Sequence, residues 1–161
     1  MKKGSIAVLS SLTGGVVGAI AAAGKASHKT KIFQGYADKH LALFYMMNNW
    51  VRVKQENKSI AAHLEKEGFK QIAIYGMSHV GNTLLQELQG SAVTVKYGID
   101  KNAGNIYTDI NVLTLDDDLE TVDAVIVTAI TFFNEIEALL STKMACPVLS
   151  LEDILYELQD S

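Results

Sequence analysis

Between residues 71 and 88 the hydrophobic pattern changes period across one short, glycine-bounded loop, and few folds satisfy that change. Gln71-Ile72-Ala73-Ile74-Tyr75 is an apolar run of strand length, the pattern of a parallel strand buried on both faces. Val80 to Leu88 then presents Leu84, Leu85 and Leu88 at helical spacing. Gly76-Met77-Ser78-His79-Val80-Gly81 joins the two. This is the G-x-G-x-x-G arrangement with serine in the middle glycine position, and each position has a physical task. Gly76 permits the tight strand-to-helix turn, and Gly81 lets helix and strand approach closely. The middle position governs how near the backbone comes to a pyrophosphate. Ser78 adds a Cβ and a hydroxyl there, which disfavours a tightly held dinucleotide and offers a phosphate contact at a helix N-terminus. Free N–H groups and the helix dipole favour an anion at that point.

The elements that follow extend the same architecture. A second strand is expected over Val93 to Ile99, ending in Asp100. An acidic side chain at that point can accept hydrogen bonds from the two hydroxyls of a ribose and would repel a 2′-phosphate. NAD or a plain nucleotide is thereby favoured over NADP, although Lys101 brings the opposite charge next door. Further strands are expected at Val112 to Leu115, Val122 to Ala129 and Pro147 to Leu149, with helices running to about Ser141 and Leu158. The predicted fold is a compact Rossmann-like α/β domain over residues 69–161. It has about five parallel strands in the order 3-2-1-4-5, with helices on both faces. Ligands in such sheets sit outside the carboxyl ends of the strands near the switch point. Thr128 and Thr131 therefore join the candidates, with helix capping as the other role open to Thr131. The candidate ligand-binding set is Gly76, Met77, Ser78, His79, Val80, Gly81, Asp100, Lys101, Thr128 and Thr131.

No catalytic constellation accompanies the loop. Tyr97 and Lys101 have a Y-x-x-x-K spacing, but they fall on or just past a strand, where neighbours alternate faces. His28, His40, His63 and His79 are scattered without metal-ligand spacing. Of these, only His79 lies in the loop, as a candidate ligand contact or proton carrier. Cys146 is the single cysteine and reads as a buried structural thiol. Asp116-Asp117-Asp118 reads as a solvated cap that starts a helical turn.

Upstream, the segment from Gly4 to Gly24 carries no charge. As a helix it would be roughly 30 Å long, enough to cross a bilayer core. Ser10, Gly14, Gly18 and Ala22 recur every four residues, beside a second row of Ala7, Ser11, Gly15, Ala19 and Ala23. Small residues at that spacing let helix backbones pair closely. Residues 1–27 are therefore expected to anchor the chain in a membrane or pair with another helix. A cleaved signal peptide or a soluble partner-binding helix are the alternatives. Lysines after the run slightly outnumber those before it, which places the C-terminal domain on the cytoplasmic side; a soluble cytoplasmic protein is the other expectation. Residues 28–68 form a helical linker. From Tyr36 to about Gln55 one apolar stripe comprises Leu41, Phe44, Met47 and Val51, and a second comprises Leu43, Met46, Trp50 and Val53. Ser59 is expected to cap a short second helix that Gly68 ends.

A net charge of −4 and a pI near 5.5 argue against a nucleic-acid binder, which would normally show a basic face. In the segments Lys70 to Gly81, Ile99-Asp100-Lys101-Asn102 and Val122 to Thr128, the chain resembles small Rossmann domains of bacterial surface-polysaccharide proteins. Such domains are attached to sugar acyltransferases, glycosyltransferases and nucleotide-sugar enzymes. Trp50-Val51, Lys54-Gln55 and Ser59-Ile60 are similar to their lead-in helix, so the resemblance spans roughly Leu41 to Leu158. It implies a nucleotide or nucleotide-sugar ligand and a role in polysaccharide synthesis. The expected function is a membrane-tethered nucleotide-binding sensor or accessory subunit, working with a polysaccharide-synthesis partner or as a homo-oligomer. Two alternatives stand beside it. One is a small NAD-dependent nucleotide-sugar oxidoreductase or epimerase-like enzyme acting as an oligomer. The other is a docking protein with a vestigial nucleotide site.

Overall fold

Helix α1, over residues 34–55, opens the part of the chain that the computed structural model describes, residues 34–161. The chain divides into two units, Met1–Leu41 and Ala42–Ser161. Of the first, residues 34–41 are helical and exposed. The expected membrane anchor at residues 4–24 lies outside the described residues. Among the described residues no helix is long and apolar enough to cross a membrane.

The second unit continues from α1 into α2 (Ile60–Lys66), β1 (Gln71–Tyr75), α3 (His79–Leu88), β2 (Thr94–Ile99) and β3 (Val112–Leu113). After β4 (Ala124–Val127) come α4 (Phe133–Leu140), β5 (Val148–Ser150) and α5 (Leu151–Asp160). The five strands are all parallel and ordered β3-β2-β1-β4-β5, as the sequence predicts. The direction in which strands are added across the sheet reverses between β3 and β4, which puts the switch point between the carboxyl ends of β1 and β4.

Alternation along the central strands sorts side chains into two layers. Ile72, Ile74, Ala124 and Ile126 face a layer that contains Met46, Trp50, Ile60, Leu64, Leu84 and Leu155 from the helices. Ala73, Val125 and Val127 face the other, which contains Tyr97, Ile99 and, from α4, Ile136 and Leu140. The β1–β2 register slips between Ile72 and Ala73, whose partners are Val95 and Tyr97. Lys96 is thus an extra residue in β2, and the bulge turns Val95 to one layer and Tyr97 to the other. The Tyr97 hydroxyl donates to the Glu120 carbonyl at 2.5 Å. Burial is the main reason its phenol is pushed up to about 12. On the linking helix it is the stripe containing Met46, Trp50 and Val53 that is buried, while Phe44 and Val51 stay exposed.

Caps and turns follow residue chemistry. Ser59 accepts from Ala62 N at 3.3 Å and starts α2. Gly68, at φ +88°, follows its end in the left-handed region. Ser150 accepts from Asp153 N at 3.4 Å and starts α5. The acidic triplet departs from expectation, because no helix begins there. Asp117 instead folds back to accept from the Thr114 N–H and hydroxyl, at 2.7 and 2.8 Å, and local bonds of this kind compete with helix formation.

Asp123 accepts from the N–H groups of Lys70 and Gln71, at 2.8 and 2.7 Å, and so pins the start of β1 to the start of β4. These bonds hold its carboxyl below the ordinary 3.8. Because the folded-state value is depressed, its stabilisation is present above the unfolded pKa and is lost as pH falls through the folded one. Asp123→Asn is therefore expected to be less stable than the parent at neutral pH. The difference should shrink once pH drops below about 4, as denaturant titrations at neutral and acid pH would show.

Candidate functional site

The loop that follows β1 owes its shape to two glycines. Gly76 has φ +95°, and a Cβ there would come within 2.7 Å of Thr128 Oγ1. Gly81 sits in the first turn of α3, where a Cβ would lie 2.2 Å from the Gly76 carbonyl oxygen. No side chain fits that gap, so the helix start can lie directly on the turn only with glycine.

Two groups hold the loop from outside, and one of its own side chains anchors it. The Asp100 carboxylate accepts from Met77 N at 3.0 Å through Oδ2 and from Asn102 N at 2.9 Å through Oδ1. Thr128, buried at the end of β4, directs its hydroxyl to the Gly76 carbonyl at 2.6 Å and lies 3.1 Å from that of Tyr75. A hydroxyl has one proton, so the shorter contact takes it and Thr128 clamps the loop. The Met77 side chain is almost fully buried and covers Gly98 of β2, where a Cβ would meet Met77 Cγ at 2.6 Å. Gly98 escaped the sequence reading, although an isolated glycine inside a strand signals a close approach of this kind.

What remains is a helix N-terminus. Ser78 occupies the N-cap position of α3 without a side-chain cap hydrogen bond, and it is exposed. The first backbone bond at this end runs from Asn82 N to Ser78 O, 3.0 Å. The N–H groups of His79, Val80 and Gly81 have no acceptor within their own helix. Together with the helix dipole they make a locus for an anion.

The structure gathers Gly76 to Gly81, Asp100 and Thr128 into one contact set. Within it the Met77 and Val80 side chains face the core, so these residues offer only backbone, and the Met77 N–H is already taken by Asp100. His79 is exposed at the first position of α3. Lys101 is exposed just after Asp100. Thr131 is exposed in a 3₁₀ turn, Ile130–Phe132, that follows β4. Tyr75 ends β1, and its phenol is raised above 10.0 by burial first and by the Asp100 carboxylate second.

Beside the 3₁₀ turn is a hollow of about 140 Å³, lined by residues 130–135. That is room for a small polar group, well below the roughly 300 Å³ where ordinary ligand pockets begin. A larger hollow of about 560 Å³ lies at the other end of the sheet, between the segments that precede β4 and β5. It adjoins the amino ends of parallel strands, away from the edge where these folds hold their ligands. Cys146 lines this hollow, and its thiol is pushed up chiefly by burial, which lowers its reactivity. Among the described residues no group of three or more His, Cys, Asp or Glu could hold a metal ion. No protein-family model matches the chain, and neither a curated protein nor a solved structure is significantly similar to it.

Two substitutions read the loop's packing. Gly81→Ala forces the helix off the turn and is expected to cost about 3 kcal/mol or more in denaturant unfolding. Gly98→Ala is expected to cost about 1–3 kcal/mol. Most of that second penalty should vanish in a Met77→Ala background, where the colliding side chain is gone, and a double-mutant cycle measures this coupling.

Proposed function

We propose that the chain is a nucleotide- or nucleotide-sugar-binding module serving cell-surface polysaccharide synthesis as a sensor or accessory subunit. In this reading a phosphate group is held by the amides that begin α3, and the ribose lies beside Asp100. The observation that carries it is the uncapped start of α3, drawn tight against β1 by Gly76 and Gly81 at the sheet's switch point. Both Asp100 oxygens already accept one N–H each. Each retains a further lone-pair direction for a sugar hydroxyl. The polysaccharide setting rests on the resemblance in the strand and loop segments. Tethering to a membrane through residues 4–24 rests on the length and lack of charge of that run.

A second reading, a docking scaffold, is favoured by the engagement of Asp100 and by the small volume beside the 3₁₀ turn. The two readings part on one variant. Ser78→Asp places a carboxylate at the N-cap, which is expected to stabilise the fold by about 0.5–1 kcal/mol. The same carboxylate occupies the anion's position and repels it. Titration calorimetry with NAD, UDP-sugars and mononucleotides should show binding to the parent, weakened about tenfold or more in the variant. Binding that is unchanged in Ser78→Asp puts the ligand elsewhere. No binding of any of these compounds to the parent leaves the scaffold.

A further inference from the structure

The hollow of about 560 Å³ between the segments that precede β4 and β5 has the size of an ordinary ligand pocket, and the nucleotide reading leaves it unused. Its walls are largely apolar. Leu119, Val122, Met144 and Cys146 line it while each is partly buried against the layer beneath, and Pro147 adjoins them. Three charged side chains also border it: Glu120, Asp123 and Lys143. Two of these are engaged elsewhere. Glu120 Oε2 is paired with Lys96 at 2.6 Å. Lys143 Nζ donates to the Leu115 carbonyl at 2.6 Å and stands 3.9 Å from Asp116.

Asp123 differs. The two N–H groups it accepts, from Lys70 and Gln71, both go to Oδ2. Oδ1 has no donor among the described residues. The N–H bonds are the main reason the carboxyl lies below its ordinary 3.8, so it is ionised at neutral pH. The charge of Lys70 acts on it more weakly, and Lys70 does not line the hollow. With Glu120 and Lys143 offset by their partners, the charge that meets an occupant is that of Asp123.

We propose that this hollow binds a small organic cation, with its apolar body against Val122, Met144 and Pro147 and its primary ammonium donating to Asp123 Oδ1. The body gains by leaving water. A charged donor on a carboxylate makes a stronger hydrogen bond than a neutral one, and an anion is repelled. The site adjoins the amino ends of β4 and β5, at the opposite edge of the sheet from the Gly76 loop, so it stands independently of any nucleotide.

Benzylammonium is the probe, and benzyl alcohol and benzoate, which share its ring but not its charge, are the controls. Each is titrated into the isotope-labelled full chain while amide chemical shifts are followed. Benzylammonium is expected to give saturable shifts centred on Thr121, Val122, Met144 and Cys146. Benzyl alcohol should bind about two- to fivefold more weakly, the effect of one exposed ion pair, and benzoate more weakly still. Asp123→Asn keeps a carbonyl oxygen for the two N–H groups and turns an amide to the hollow, which should reduce benzylammonium to the affinity of the alcohol. Because that substitution also loosens β1 from β4, Ala145→Trp serves as the second variant. Ala145 is exposed where it lines the hollow, and an indole there should abolish the shifts without altering the rest of the spectrum. Equal affinity for the three compounds, tightest binding of benzoate, or shifts scattered over the surface overturns the proposal. So does an Ala145→Trp protein that binds benzylammonium as the parent does.

Discussion

A Cβ on Gly81 would stand 2.2 Å from the Gly76 carbonyl oxygen, and the arrangement of the loop follows from that close approach. It fixes how near the first turn of α3 comes to the end of β1, and hence where the helix points its free amides. The surrounding side chains hold this geometry in place. Thr128 bonds the Gly76 carbonyl from β4, Asp100 takes the Met77 N–H from β2, and Met77 sinks its side chain over Gly98. Three strands therefore converge on six residues of loop. Each of these contacts loses its partner if the helix moves away.

The two faces of the sheet contribute differently. One carries α1, α2, α3 and α5, with the longer list of fully buried side chains. The other carries α4 and the extended connection between β3 and β4, through Leu115, Leu119 and Val122. Asp117 and Asp123 organise that connection by accepting backbone N–H groups, in place of a helix. The bulge at Lys96 matters here as well. Without the extra residue, Tyr97 would turn to the opposite layer and lose its bond to the Glu120 carbonyl. Polar ties serve both faces: on the helical side the Trp50 indole donates to Glu87 of α3 at 2.6 Å, and on the other side they shape the connection itself.

Much of this was legible in the residues. An apolar strand, a glycine turn and a leucine-bearing helix repeat a pattern whose right-handed crossovers leave few topologies. The predicted strand order is the observed one. Ends shifted by a residue or two, as at β4, where Val122 and Asp123 precede the ladder. Other features were not legible, because they depend on which distant atoms come together. Asp100 could be placed at the end of β2 from sequence, but its grip on Met77 N depends on how far the loop folds toward it. Thr128 could be placed at the crevice, but the direction of its hydroxyl depends on the Gly76 carbonyl. The turn at Asp117 is a local exception: Thr114, three residues earlier, engages its carboxylate, and such a bond competes with the helical turn expected there.

Local covalent constraint decided what the sequence alone determined: where strands and helices lie, which turns need glycine, and that the sheet is parallel. Period and backbone freedom are properties of neighbours along the chain, so they can be read without coordinates. Tertiary packing decided which of the two apolar stripes on α1 is buried and which polar groups serve the loop, leaving α3 uncapped. Those outcomes turn on distances between segments far apart in the chain, where a shift of 1 Å makes or breaks a hydrogen bond.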